Sequence, residues 1–142
     1  MRNTDELLEI VFERLDETTA IAVSRELLDD SPTIPDEESG LWETEIESLN
    51  IAVGLVIEGI HLRLLRYDQI VYDVELNFTV GSARNNSGHP LGDALHRFAT
   101  EVARKTRVES YYCGLEPAAD HDTRIFTGIK KGPYPLHEKP KR

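Results

Sequence analysis

The fold of this chain is decided by residues 51–80, which read IAVGLVIEGIHLRLLRYDQIVYDVELNFTV. Apolar residues recur at every second position, which is the period of a β-strand that buries one face and leaves the other in water. The pattern, together with its turn residues, predicts strands over 51–57, 60–67 and 70–80 and turns at 58–59 and 68–69. Three antiparallel strands joined by hairpins are therefore the predicted centre of the fold.

Two helices are predicted on either side of these strands. Thr4 is an N-cap residue followed by two acids, and the apolar residues after it recur at helical spacing, which predicts a helix over residues 5–16. Pro90 suits the start of a second helix that ends near Lys105, and its apolar residues form one stripe: Leu91, Leu95, Phe98 and Val102. Residues 18–25 fit either a short strand or a continuation of the first helix, and both interpretations stay open.

The remaining predicted elements are strands. Residues 41–49 fit a helix face as well as an alternating strand, and their Trp, Thr and Ile content favours the strand. Two more strands are predicted at residues 108–114 and 123–128. This order of elements predicts an α+β fold, with an antiparallel sheet of about five strands and two helices packed on one face.

The chain of 142 residues is expected to form one domain, residues 1–129, followed by a basic, Pro-rich tail at residues 130–142 that reads KKGPYPLHEKPKR. No apolar run is long enough to span a membrane, and the acidic N-terminus is unlike a signal peptide. The one cysteine, Cys113, cannot form an intrachain disulfide, which is typical of a reducing compartment. A cytoplasmic protein without membrane contact is therefore expected.

The formal net charge of −10 is unevenly distributed along the chain. Residues 1–50 contain 15 Asp and Glu against 3 Arg, whereas residues 51–142 contain 11 acids against 13 bases. The only basic cluster is the short tail, so we expect no binding to nucleic acid, which requires a basic face. The acidic third is either an ordinary solvated surface or a docking surface that attracts a basic protein partner.

The docking interpretation is the leading functional hypothesis. It predicts a small acidic protein-binding domain, and one concrete form of such a protein is an inhibitor or immunity-type protein that docks a basic protein partner. The candidate binding residues are the acids of the Pro-bounded loop and of the strand beside it: Asp36, Glu37, Glu38, Glu43, Glu45 and Glu47. A homo-oligomer is compatible with the same sequence.

The alternative hypothesis is a small enzyme or ligand-binding domain that uses the loop of residues 115–124. This loop gathers carboxylates, an imidazole and a guanidinium beside strand ends, as a general base or an ion site requires: Glu116, Asp120, His121, Asp122 and Arg124. The same residue types are common in structural turns. The sequence contains no nucleotide-binding or hydrolase signature, which favours a function other than catalysis.

The sequence also contains a possible metal site and a possible nucleophile, and neither is predicted to be functional. His89, Asp93 and His96 share one helix face, as the ligands of a metal ion would, but the helical wheel turns that face away from the core, so no metal site is predicted. Cys113 is expected to be a small buried residue and not a nucleophile, because nearby acids would raise its pKa. The sequence therefore implies no cofactor and no catalytic residue.

Overall fold

The computed structural model describes residues 6–28, 32–36, 38–67 and 70–136. Apart from two single-turn 3-10 helices, these ranges contain two helices and eight strands. In chain order they are β1 (Leu7–Leu15), α1 (Glu17–Leu28), β2 (Leu41–Ala52), β3 (Leu55–Arg66), β4 (Tyr72–Thr79), β5 (Ala83–Asn85), α2 (Leu91–Thr106), β6 (Tyr111–Leu115), β7 (Arg124–Thr127) and β8 (Lys130–Lys131).

The strands form one sheet in the order β2-β3-β4-β1-β6-β7-β8, and the short β5 pairs with β3. All the pairings between described strands are antiparallel. The predicted α+β fold with two helices and an antiparallel sheet is confirmed, whereas the estimate of about five strands is wrong, because the described residues form eight. The estimate is too low because β1 has the pattern of a helix and because β5 and β8 have only three and two residues.

Strand β1 takes the place of the helix predicted over residues 5–16, and that prediction is wrong. β1 lies inside the sheet, where it pairs with β4 on one side and β6 on the other. It is buried on both faces, by Leu8, Ile10 and Phe12 on one face and by Glu9 and Val11 on the other. Such a strand has a nearly continuous apolar run, and this run also satisfies helical spacing.

Residues 18–25, for which two interpretations were open, belong to helix α1. Asp16 caps the first turn, because the Thr19 backbone N–H donates to Asp16 Oδ1 at 2.8 Å. The residues that the helix buries recur at short helical intervals: Ala20, Val23, Ser24 and Leu27. This cap and this buried stripe outweigh the β-branched composition of the segment.

The hairpin between β2 and β3 turns at Val53 and Gly54, and the turn predicted at residues 58–59 is wrong. Gly54 has φ of 85°, and a Cβ atom there would lie 2.8 Å from a backbone carbonyl oxygen, so only glycine fits without strain. Gly59, with φ of 69°, lies inside β3. Before it the buried residues of the strand have odd numbers, and after it they have even numbers. The strand preferred for residues 41–49 is confirmed as the first part of β2.

Both helices place their buried residues in the same cluster as one face of the sheet, and this cluster is the core. Helix α2 begins at Leu91, one residue after the predicted start at Pro90, and ends at Thr106, one residue after the predicted end near Lys105. Leu95 is fully buried, whereas Phe98 of the same predicted stripe is only half-buried. No helix within the described ranges has the length and apolar composition that crossing a membrane requires.

The segment from residue 130 continues the sheet. Strand β8 pairs with β7, and the backbone N–H groups of Gly132 and Tyr134 then donate to the Ile125 and Arg124 carbonyls at 2.8 and 3.0 Å. The domain boundary predicted between residues 129 and 130 therefore falls inside a hairpin. Residues 137–142 of the predicted tail lie outside the described residues, and the division into domain and tail stays a prediction.

Candidate docking surface

The face of the sheet that points away from the two helices is called the open face here. Its side chains alternate with the core residues along β1, β2, β3, β4 and β6. The register arranges them in rows across the strands, with Glu45, His61, Asn77 and Glu9 in one row and Glu43, Arg63, Glu75, Val11 and Tyr112 in the next. The second row has two carboxylates and one cation, whereas the first row continues through Gly114 to Arg124 and has two of each. With Asp73, which alternates with the core residues along β4 as Glu75 does, the open face is acidic.

His61 lies between two carboxylates at the β2 side of the open face. Its Nδ1 is 2.6 Å from Glu45 Oε2 and its Nε2 is 2.5 Å from Glu43 Oε1. The hydrogen bond to Glu45, followed by that to Glu43, raises the pKa of His61. Because both acceptors are carboxylates, both ring nitrogens carry a proton in this arrangement, and His61 is an imidazolium that partly neutralises the two glutamates.

The middle of the open face holds buried carboxylates whose negative charge is only partly balanced by nearby cations. Burial, and next the negative charge of Glu9, raise the pKa of Glu75 to about 7, although Arg63 Nη1 lies 3.4 Å from Glu75 Oε1. Burial also raises the pKa of Asp73, whose Oδ1 accepts a hydrogen bond from the Arg14 backbone N–H at 3.0 Å. These strands therefore hold negative charge that a cation from outside could stabilise.

Asn77 lies between His61 and Glu9 in the first row of the open face. Its side chain is 8% exposed, and no donor among the described residues reaches its Oδ1 atom. Buried polar atoms nearly always have a hydrogen-bond partner, so an unpaired oxygen at this position needs an explanation.

A groove with a volume of about 410 Å³ opens on this face, and we call it the central groove. It lies where β1, β3 and β4 are adjacent and extends toward the residues that follow β6. Its lining consists of Leu7, Glu43, Gly59, His61, Arg63, Asn77, Phe78, Thr79, Ser82 and Glu116. The groove therefore combines both glutamate and cationic side chains with the unpaired Asn77 oxygen.

Three of the acids predicted to bind a partner lie on β2. Glu43 and Glu45 belong to the open face, and Glu47 is exposed farther along the strand. Because β2 is the edge strand of the sheet, these side chains are accessible from the side as well as from above.

The other three predicted acids belong to the loop before β2. Asp36 and Glu38 are exposed, and Glu37 lies outside the described residues. Asp36 also has a local structural role, because its Oδ1 accepts a hydrogen bond from the Ser39 backbone N–H at 2.7 Å. This bond lowers the pKa of Asp36.

The loop of the alternative hypothesis is held in place by Arg124. Its Nε donates to the Ala118 carbonyl at 3.0 Å, and its guanidinium carbon lies 4.0 Å from the centre of the Tyr112 ring. Ala118 is in turn fixed by its backbone N–H, which donates to Glu9 Oε1 at 3.0 Å. These contacts give Arg124 a positioning role under the loop.

The other candidates of this loop are exposed, namely Glu116, Asp120, His121 and Asp122. Asp120 caps the short turn, since its Oδ1 accepts a hydrogen bond from the Asp122 backbone N–H at 3.1 Å. This use of Asp is typical of turn chemistry. Glu116 differs from the rest because it borders the central groove.

The three residues considered as metal ligands, His89, Asp93 and His96, make separate contacts. Asp93 Oδ1 lies 3.4 Å from Lys131 Nζ, and His89 is exposed. The expectation that their whole helix face points to solvent is wrong for His96, whose ring stacks on Phe126 at 4.3 Å and whose Nε2 donates to the Gly128 carbonyl at 2.7 Å. Within the described residues, no group of three or more His, Cys, Asp or Glu side chains could hold a metal ion.

Cys113 lies in β6 and is fully buried. Burial, and next the charge of Glu9, raise the pKa of its thiol. The burial that the sequence predicts for Cys113 is confirmed, and a buried thiol with a raised pKa is a poor nucleophile.

The buried polar residues of the open face are the part of the site that the sequence analysis did not single out. Asp73, Glu75 and Asn77 alternate along β4, and this alternation predicts only that they share one face. Their burial depends on the neighbouring strands, which the local pattern does not reveal. Glu9 lies within the wrongly predicted helix, so its place on this face had no sequence signal.

A small α+β domain whose helices cover one side of its sheet, and whose other side presents more carboxylates than cations, has the kind of charged surface that protein-binding domains use to attract a partner. A family model described as PABL017 Cdi1I immunity protein matches residues 33–131. The match covers more than half of the chain, so this chain belongs to that immunity protein family. The prediction of an inhibitor or immunity-type protein is confirmed by this membership.

The fold is also found in a solved structure. One chain of the 1.75 Å crystal structure of the toxic C-terminal tip of CdiA from Pseudomonas aeruginosa in complex with immune protein superposes with a TM-score of 0.68 and 24% sequence identity. The match covers 90% of this chain and 97% of that chain. At this identity the likeness shows a shared fold. No curated protein matches the chain.

Proposed function

We propose that this chain neutralises the toxic C-terminal tip of a CdiA-type protein by binding it through the open face of the sheet. The toxin presents a basic surface to this face. Membership in an immunity protein family supports the toxin as partner, and the structure with the same fold contains a toxic CdiA tip together with an immune protein.

The surplus of carboxylates over cations on the open face is the observation that carries this proposal. The carboxylates are Glu9, Glu13, Glu43, Glu45, Asp73 and Glu75, and the cations among them are His61, Arg63 and Arg124. Close, unneutralised charges of one sign create a field that attracts a surface of the opposite sign. The field acts over about 8 Å at physiological salt, so it accelerates encounter with a basic partner.

The test measures association kinetics with the CdiA tip encoded by the genome that encodes this chain. The first variant neutralises β2 by Glu43→Gln, Glu45→Gln and Glu47→Gln. We expect its association rate constant to fall by roughly tenfold at low salt, with a much smaller change in the dissociation rate. The rate of the unmodified chain should decrease steeply as salt is added.

The matched control removes the same number of charges elsewhere, by Glu26→Gln, Glu101→Gln and Glu109→Gln. These three glutamates are exposed on α1, on α2 and after α2. The control should retain most of the association rate. Equal losses in both triple variants would show that net charge matters and the open face does not, and failure to form any complex would refute the proposed function.

A third variant tests the loop before β2 by Asp36→Asn, Glu37→Gln and Glu38→Gln. The amide oxygen that replaces the carboxylate of Asp36 would still accept the hydrogen bond from the Ser39 backbone N–H. If the loop is part of the docking surface, this variant should also associate more slowly than the control. An unchanged rate would limit the surface to the strands.

The same proposal implies action in the cytoplasm and a protein as partner. The buried single Cys113 is compatible with a reducing compartment. Nucleic acid is not expected at the open face, because its carboxylates would repel phosphates.

A further inference from the structure

We propose that the central groove receives one cationic side chain of the bound toxin, an arginine or a lysine, and that Asn77 accepts a hydrogen bond from it. This inference rests on the proposed function and adds the chemical group that enters the groove. It assigns to Asn77 a binding role that its position in the sequence does not suggest.

The first support is the unpaired oxygen of Asn77. The side chain is nine-tenths buried and lines the groove, yet no described donor reaches its Oδ1 atom. An unpaired buried carbonyl oxygen destabilises the free chain, because it has lost its water without gaining a partner. The terminal amide torsion of Asn is soft, so a small rotation turns this oxygen toward a donor in the groove.

The second support is that the cations already in the groove are engaged by other carboxylates. His61 is held by Glu43 and Glu45 at 2.5 and 2.6 Å, and Arg63 faces Glu75 at 3.4 Å. Neither of them bonds to the Asn77 oxygen. Within the described residues the Asn77 oxygen therefore keeps an acceptor position that a donor of the bound toxin can use.

The third support is the charge around the groove, which favours a cation over a neutral donor. Glu43 and Glu116 line it. Glu9 lies in the same row as Asn77, and Glu75 lies in the next row. Together with Glu45, these carboxylates exceed the two resident cations. A volume of about 410 Å³ lies within the range of sites that hold a small ligand, so one long side chain fits. Its N–H donors would reach an amide oxygen and carboxylates at once.

The main experiment compares Asn77→Leu with the unmodified chain in two measurements, the melting temperature of the free chain and the Kd for the CdiA tip. Leu has nearly the shape of Asn and no polar atom to leave unpaired. We expect the melting temperature to stay equal or rise and the Kd to increase at least tenfold. A side chain with a merely structural role would instead lower the melting temperature. The matched control is Asn50→Leu, an exposed asparagine on β2 outside the groove lining, which should leave the Kd unchanged.

A second measurement does not depend on the toxin. The free chain is titrated with N-acetyl-arginine amide and, separately, with its uncharged analogue N-acetyl-citrulline amide, while the backbone amide signals of Thr79 and Ser82 are followed by NMR. We expect a saturable shift with the arginine compound, no saturation with citrulline, and loss of the arginine effect in Asn77→Leu.

These outcomes separate the two claims. A toxin complex whose Kd is equal in Asn77→Leu and Asn50→Leu would overturn the groove inference and leave the proposed function intact. If no toxin complex forms, the proposed function fails, and the titration alone then decides whether the groove binds a cationic side chain. Equal responses to arginine and citrulline amides would overturn the inference.

Discussion

Replacing Glu75 by Gln is expected to stabilise the free chain at pH 8 and to leave its stability at pH 4 unchanged. The side chain of Glu75 is 13% exposed, and burial together with the charge of Glu9 raises its pKa to about 7. A carboxyl group whose pKa is raised by folding binds its proton more tightly in the folded chain. Its ionisation therefore opposes folding, and this cost develops as the pH rises from about 4.5 to about 7.

The magnitude follows from the difference between the two pKa values. The ordinary value for the unfolded chain is 4.5 and the folded value is about 7. At about 1.4 kcal/mol per pKa unit, ionised Glu75 lowers the free energy of unfolding by on the order of 3 kcal/mol above pH 7. The folded pKa of about 7 already includes the attraction of Arg63, which lowers it. The ion pair with Arg63 therefore does not cancel the destabilisation by ionised Glu75.

Urea denaturation followed by circular dichroism at pH 4 and pH 8 measures this effect. The control is Glu58→Gln on β3, where the side chain is 49% exposed and pairs with Arg84 at 3.2 Å, so its stability change should stay below about 1 kcal/mol at both pH values. A lower free energy of unfolding for Glu75→Gln at pH 8 would refute the reasoning. An equal gain at both pH values would also refute it, because the gain must follow ionisation.

Three further predictions concern the core, the thiol and the pH dependence of binding. Leu95→Ala should lower the free energy of unfolding, measured by urea denaturation, by about 2–5 kcal/mol. Phe98→Ala should lower it clearly less, because Phe98 is only half-buried. The reverse order of the two losses would contradict the assigned core. Cys113 should react with a thiol reagent only as fast as the chain unfolds, and rapid labelling of the folded chain would contradict its burial. Toxin binding should become tighter from pH 6 to pH 8, because a cation on the open face favours the deprotonated forms of Glu75 and His61. Isothermal titration calorimetry in two buffers should therefore detect proton release on binding. Proton uptake would contradict the cationic partner.

Local signals in the sequence were enough to predict some elements of the fold. Pro90 and a stripe of apolar residues spaced about one helical turn apart predict helix α2. These signals are local, so the prediction does not depend on contacts with distant parts of the chain. The alternation along β4 similarly reveals one wet face. The antiparallel sheet follows from such alternation in several segments.

The elements that escaped prediction depend on distant parts of the chain. Residues 7–15 become a strand because they pair with residues 72–79 and 111–115, and their own pattern fits a helix equally well. The turn at Gly54 was missed because Gly59 offered a second candidate glycine in the same apolar series.

The candidate site was predictable in part. Its acidic character and the residues of β2 follow from the charge distribution alone. The unpaired Asn77 oxygen and the raised pKa of Glu75 do not, because hydrogen-bond satisfaction and burial are properties of the assembled sheet.

The central place of β1 in the sheet has a consequence for the synthesis of the protein. The ribosome makes this strand before its partners β4 and β6, which begin only at Tyr72 and Tyr111. Both edges of β1 lack a partner until β4 is made, and one edge still lacks its partner until β6 is made. The closing of such long loops slows folding. A chain that ends at residue 110 should therefore lack the native circular dichroism spectrum. The native sheet around β1 therefore cannot be complete until translation has passed residue 115.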